Sequence, residues 1–244
     1  MRIQLGVDYD SEYFFSPVYL LDSRLLAMEM VGRFHSVRGQ LSMPQALMLG
    51  LLTRQQKLML LREQLSLLQD NAAWFSQHRV MVLLKLDHTL ADFLINDALL
   101  AQAFRALSFL QIEVNEHFQD ISAGRDNVRL KKLSQSFHLW LDNFGSGHIN
   151  MKPFYDGMIA SVKIEASFIN KLLARPASVS IINPMLQVMK KHCPSLLIVA
   201  KGIDDMDAFE KIHELNVDAV QGQLWPPLSP DALDNALMPV ACYG

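Results

Sequence analysis

Three lysines and four carboxylates stand where apolar runs of this chain come to an end, and they are the residues with the most chemistry to offer. Glu29 falls in "LLAMEMVGRF", Lys85 closes "VMVLLKL", Glu113 falls in "LQIEVNE" and Asp142 in "FHLWLDNF"; Lys163 and Glu165 fall in "ASVKIEASF" and Lys201 in "LLIVAKGI". Gln221 in "DAVQGQLW" adds an amide, and Arg33, Asn115, Glu116 and Asn143 are close by in sequence. Carboxylates and amides that converge are how a protein holds Mg²⁺ or Mn²⁺, which take oxygen ligands. The lysines oppose this: a dication ~4 Å from an ammonium, at an effective dielectric near 20, is repelled by roughly 8 kcal/mol. The alternative is an internal ion network of Lys85, Lys163 and Lys201 against Glu29, Glu113, Asp142 and Glu165. A Schiff-base role for Lys163 is the weaker chemistry, because that many carboxylates keep an ammonium charged. Taken singly, each residue also reads as a solvated strand end.

To bring these side chains together the runs must be strands of one sheet. Eight short apolar, β-branched runs, from "YFFSPVYLL" to "DAVQGQLW", alternate with segments of helical period, the pattern of strands joined by crossover helices. The first two are separated by only Asp22-Ser23-Arg24, so they pair antiparallel. The expected fold is α/β, a modified (β/α)8 barrel with one antiparallel strand, as a single domain over residues 1–244. In such a barrel the C-terminal strand ends form the functional face, where the polar residues above would meet. Thr53-x-x-Gln56 predicts a capping box, Asn183-Pro184 and Ser229-Pro230 predict helix starts, and residues 42–77 carry enough helical pattern for two helices.

Composition excludes other classes. A formal net charge of −3 offers no electrostatic footprint for nucleic acid or an anionic membrane. No stretch reaches the ~18 apolar residues of a membrane span and the N-terminal residues are too acidic for a signal peptide, so the expected location is the cytoplasm. Cys193 and Cys242 lack metal-ligand spacing, and no pair of histidines shows zinc spacing. His138, Trp140, Met28, Met30, Met43 and Met48 read as packing residues, "RLKKLSQ" as a solvated helix face, and Gly145 and Gly147 in "NFGSG" as a turn, not a phosphate cradle.

In order, "AMEMVGRF", "VLLKL", "LQIEVNE", "WLDNFGSG", "VKIEASFI", "VAKGIDD" and "DAVQGQLWPP" resemble the successive motifs of EAL-domain cyclic-di-GMP phosphodiesterases. The resemblance implies a barrel in which two metal ions activate water against a cyclic dinucleotide. It also implies that the site is broken. Glu29 falls on the Glu of the name motif, Arg33 on its phosphate-contacting arginine, and Glu113 and Asp142 on metal ligands. Lys85, however, stands for a metal-binding Asn, Asn143 for the second Asp of Asp-Asp-Phe-Gly, and Lys201 for the ligand or general base of Ala-Glu-Gly-Val-Glu. Asp204 shortens the second Glu of that stretch, Lys163 and Gln221 match catalytic positions, and the family's Lys-Ile-Asp reads Lys-Ile-Glu at Glu165. The implied site is vestigial, with no hydrolysis, no metal and no cofactor, since two-metal catalysis needs both ions.

"SEYFFSPV", Met43-Pro44 before a helix, "NFGSG" and "QGQLWPP" resemble the YdiV-like group of small degenerate EAL proteins. That group binds the FlhD subunit of the flagellar master activator FlhD–FlhC and blocks its action on DNA, which implies repression of motility genes through a protein partner and no direct contact with nucleic acid. Cyclic-di-GMP binding is expected to be weak or absent; the alternative is a non-hydrolysing cyclic-di-GMP sensor.

Overall fold

A computed structural model describes residues 2–4, 8–37, 39, 41–145, 149–174 and 176–238. Its ten strands are β1 (Arg2–Gln4), β2 (Asp8–Leu20), β3 (Leu25–Ser36), β4 (Ser42–Pro44), β5 (Met81–Lys85), β6 (Leu110–Asn115), β7 (Leu139–Phe144), β8 (Ser161–Ile164), β9 (Leu197–Lys201) and β10 (Ala219–Gln221). The six strands from β5 to β10 run parallel to β3, and β2 closes the circle antiparallel to both β3 and β10. The result is the expected eight-stranded barrel with one antiparallel strand. β1 and β4 extend the β2–β3 ribbon on its outer edges.

The hairpin follows from local chemistry. Ser23 takes a left-handed φ of 65°, and the Asp22 carboxylate accepts from the Arg24 backbone N–H at 3.2 Å and from its Nε at 2.8 Å. Opposite faces of each strand then serve different cores. Met28, Met30 and Phe34 on β3 and Val82 and Leu84 on β5 face outward into the layer of helices, where they meet Leu60, Leu61 and Phe75. Val18, Ala27, Leu83, Trp140, Val199 and Ala219 face inward and form a separate apolar plug inside the barrel. Trp140, fully buried, donates its indole N–H to Gln111.

The helix Arg54–Asp70 starts at the predicted capping box, with Thr53 and Gln56 each satisfying the other's backbone N–H. Residues 42–77 hold three helices, not two, because Gly50 and Asn71 divide the pattern into Gln45–Leu49, Arg54–Asp70 and Ala72–His78. Asn183-Pro184 does not start a helix. It lies inside Pro176–His192, and the Asn183 side chain instead accepts from the Asn216 N–H at 2.8 Å and donates to the Glu214 carbonyl at 2.7 Å, tying the loop before β10 to the helix. Ser229-Pro230 does open an element, but a 3₁₀ one over Pro230–Leu237, and the Ser229 hydroxyl makes no cap. The strand read from "DAVQGQLW" stops at Gln221, where the chain presses on the loop that follows β9. A Cβ on Gly222 would lie 2.0 Å from the Ile203 carbonyl oxygen.

Lys131 and Lys132 are solvated as expected, while His138 is exposed and not a packing residue. Gly145 turns at φ 109°; Gly147 and Cys242 lie outside the described residues. Among the described residues, no helix is long and apolar enough to cross a membrane.

Candidate functional site

Side chains alternate along a strand, so a residue two positions beyond each plug residue faces the barrel interior again, one layer higher. On β2, which runs the other way, this layer is Ser16; on the parallel strands it is Glu29, Lys85, Glu113, Asp142, Lys163, Lys201 and Gln221. Pairing fixes their height: Ser16 is opposite Glu29, Lys85 opposite Glu113, and Gln221 opposite Lys201. Each of the eight barrel strands thus contributes one polar residue to a ring at the mouth.

The ring is a closed set of ion pairs. Lys163 is its hub: with its side chain fully buried, its Nζ donates to Glu29 Oε2 at 2.5 Å and to Glu113 Oε2 at 2.6 Å. Lys85 Nζ donates to Asp142 Oδ2 at 2.6 Å and lies 3.0 Å from Glu113 Oε1 and 3.6 Å from Glu29 Oε1. Lys201 Nζ donates to Asp142 Oδ1 at 2.6 Å and to Asn143 Oδ1 at 2.8 Å. Gln221 Nε2 bridges Ser16 Oγ and Glu29 Oε2, both at 3.1 Å. Three ammonium groups face three carboxylates, so the ring is formally neutral.

The neighbours decide the protonation. Burial would raise the Glu29 carboxyl, but Lys163 and Lys85 reverse this and hold it at about 2. Burial likewise works against Asp142, which all three lysines hold below the usual carboxylate range. Glu113 is raised, by burial and by the charge of Glu29 beside it, with its two lysines opposing. Burial would lower Lys163 and Lys85, yet Glu113, Glu29 and Asp142 hold both above the ordinary lysine value. An ammonium kept protonated in this way is no carbonyl nucleophile, which removes the Schiff-base reading of Lys163. Nor does the ring as it stands fit a divalent cation. Both oxygens of Glu113 and of Asp142 already face an ammonium within 3.0 Å, and a dication added there would meet the repulsion of roughly 8 kcal/mol reckoned above.

Not every residue singled out from the sequence reaches the ring. Glu165 was expected in the ion network, but it turns outward and caps the helix Ala166–Leu173, accepting from the Phe168 N–H at 3.0 Å and from the Ser167 hydroxyl. As the residue after a strand, it serves the helix start that its position demands. Arg33 is exposed, two turns of the pleat beyond Glu29, with its guanidinium 5.4 Å from the Phe14 ring centroid. Asp204 is also exposed and accepts from the Gln223 N–H at 2.8 Å. Asn143 sits at an irregularity of β7 with a left-handed φ of 61°, which turns its amide toward Lys201. Asn115 and Glu116 shape loops: Asn115 accepts from the His117 N–H and Glu116 from the Gly145 N–H. Ser16 is the ring member that sequence reasoning missed. Its signal was the serine interrupting "YFFSPVYLL", hidden because an antiparallel strand does not end at the mouth. A cleft of about 290 Å³ opens beside the ring, lined by Ser16, Glu29, Lys201, Asp204 and Gln221 among others.

A family model described as the EAL domain matches residues 8–227. The anti-FlhC(2)FlhD(4) factor YdiV of Salmonella typhimurium is 30% identical over 220 residues, which cover 90% of this chain and 92% of that protein. The putative anti-FlhC(2)FlhD(4) factor YdiV of Escherichia coli is 30% identical over 226 residues, covering 93% and 94%. The crystal structure of EAL-like domain protein YdiV superposes with a TM-score of 0.86 at 28% identity, over 94% of this chain and 97% of that one. A PaMucR phosphodiesterase in complex with c-di-GMP superposes with a TM-score of 0.70 at 19% identity, over 91% and 94%, a likeness of fold alone.

Proposed function

The chain belongs to the EAL-domain family, and from that premise we propose that it is a non-catalytic regulator that binds FlhD and represses the flagellar activator FlhD–FlhC after translation, by preventing its binding to DNA. The observation that carries the non-catalytic half is the neutral ring, in which Lys163, Lys85 and Lys201 take up the carboxylates of Glu29, Glu113 and Asp142. In the family's chemistry those oxygens would hold the metals that generate the attacking hydroxide and clamp the phosphodiester. On this reading Lys85, Asn143 and Lys201 are the departures that end catalysis. Glu29, Arg33, Glu113, Asp142, Lys163, Glu165, Asp204 and Gln221 are the remainder of a vestigial site, and no cofactor is needed.

The partner is supported by the relatives, whose names carry FlhC and FlhD, at 30% identity over nine-tenths of the chain. The physics agrees with a protein partner. A chain of net charge −3 is poorly suited to compete for DNA but can dock on a DNA-binding protein in the cytoplasm. Cyclic-di-GMP, an anion, would find lysines already committed to carboxylates, so its binding is weak or absent. The test mixes the purified chain with FlhD–FlhC and a flagellar promoter fragment. The shifted DNA band should disappear as the chain is added, and Glu29→Ala should be equally effective. A band that persists with the chain in large excess overturns the partner and leaves the non-hydrolysing cyclic-di-GMP sensor as the better reading.

A further inference from the structure

Lys85 does not fit its place as well as Lys163 fits its own. Its Nζ faces one oxygen from each of three acids, at 2.6 Å from Asp142, 3.0 Å from Glu113 and 3.6 Å from Glu29, yet it makes a hydrogen bond only to Asp142. Glu113 Oε1, on a side chain with no exposure, is left without a hydrogen-bond partner although an ammonium lies beside it. An ammonium carries three N–H vectors on a stem of fixed direction, and here they cannot all be aimed at acids that converge from three strands. A hard dication has no such directionality and takes oxygens converging from several sides, at about 2.0–2.6 Å. The position held by Lys85 Nζ is therefore shaped for a metal ion more than for an ammonium.

Charge says how many lysines stand in for one ion. With Lys85 and Lys201 neutral, Lys163 alone would face three carboxylates, a net charge of −2 that one divalent ion cancels. The same change frees both oxygens of Asp142, Glu113 Oε1, Glu29 Oε1 and the Asn143 amide oxygen.

We propose that Lys85 and Lys201 together act as a resident substitute for one divalent cation, with Lys85 Nζ in its seat, so that this barrel mouth is stable without metal and becomes a Mn²⁺ or Mg²⁺ site when both ammonium groups are removed. This rests on the non-catalytic reading of the ring and not on the partner. The experiment uses neither FlhD nor cyclic-di-GMP, so its failure is distinguishable from a failure of the regulatory reading.

The full chain and its Lys85→Met/Lys201→Met variant, which replaces each lysine by an unbranched apolar side chain, are dialysed against chelator and melted with and without MnCl₂. The wild-type midpoint should not move. The variant should melt lower without metal and recover by about 5–10 °C once Mn²⁺ exceeds its Kd roughly a hundredfold, with one Mn²⁺ bound per chain by calorimetry. Lys85→Gln alone should bind Mn²⁺ more weakly than the double variant, because Lys201 still repels it. If the double variant folds only when MnCl₂ is present, that also supports the proposal. Stoichiometric Mn²⁺ binding by the wild type would overturn it. So would a folded double variant indifferent to Mn²⁺ and Mg²⁺, or a failure of both variants to fold even with metal.

Discussion

Two residues apart on the same strands, the barrel interior changes from an apolar plug to an ion ring. Ala27 gives way to Glu29 on β3, Leu83 to Lys85 on β5, Trp140 to Asp142 on β7, Val199 to Lys201 on β9 and Ala219 to Gln221 on β10. The plug is held by contacts that have no direction, so losing one side chain costs its own buried surface and the cavity it leaves. The ring is held by balance, so losing one member strands the partners it neutralised, and the cost falls on them. The two layers share a backbone and differ in this accounting alone, which makes paired substitutions a clean way to tell them apart.

The largest effect is expected at the hub. Lys163→Met leaves Glu29 and Glu113 facing each other without their buried cation, and should cost about 3–5 kcal/mol in denaturant unfolding. The added variant Lys163→Met/Glu113→Gln should lose less than the two single losses added together; strict additivity would mean that the pair is not coupled. Acid should expose the same contrast. Glu29, lowered from 4.5, contributes stability that is complete above about pH 4.5 and is lost as pH falls through about 2, and Asp142, lowered from 3.8, contributes with the same sign. Glu113, raised, contributes with the opposite sign. The plug variant Leu83→Ala should keep the wild-type fall in stability over this range and Lys163→Met should flatten it; parallel curves for all three would break the distinction.

Next in size is the plug itself. Leu83→Ala, beneath Lys85, should cost about 2–4 kcal/mol with no change in response to Mn²⁺, as measured by urea melts with and without metal. Lys201→Ala should cost about 1–3 kcal/mol, less than the hub because its side chain is 23% exposed and Asp142 keeps Lys85. Equal midpoints for Lys201→Ala and wild type would remove Lys201 from the ring. The smallest change is expected at Glu165→Ala, about 1 kcal/mol from the lost helix cap, with the acid profile of the ring unaltered.

Both layers were legible to different degrees. Position at the end of an apolar run was enough to gather Glu29, Lys85, Glu113, Asp142, Lys163, Lys201 and Gln221 at one face, because the C-terminal ends of parallel barrel strands meet there. It failed at Glu165 and Asp204, which lie past the last paired residue, where the chain turns into a helix or loop and the period of two no longer governs direction. It also failed at Ser16, because the antiparallel strand passes through the mouth and continues to Asp8. Pro184 misled for a related reason: a proline within Pro176–His192 reads as a helix start unless the loop that Asn183 holds is known. Four acids and three lysines could be counted in the sequence, but that Glu165 leaves the set, and which oxygen meets which ammonium, could not, since that depends on where each strand ends and on the register between strands.

The claim that the ring's own lysines have taken the place of catalytic metal is tested most directly by turnover. The purified chain, free of other phosphodiesterases, is incubated with cyclic-di-GMP and Mn²⁺ or Mg²⁺, and linear dinucleotide is followed by chromatography. With Lys163, Lys85 and Lys201 saturating the three carboxylates, no linear product should form at any metal concentration. Metal-dependent product that disappears with Glu29→Ala would contradict the account.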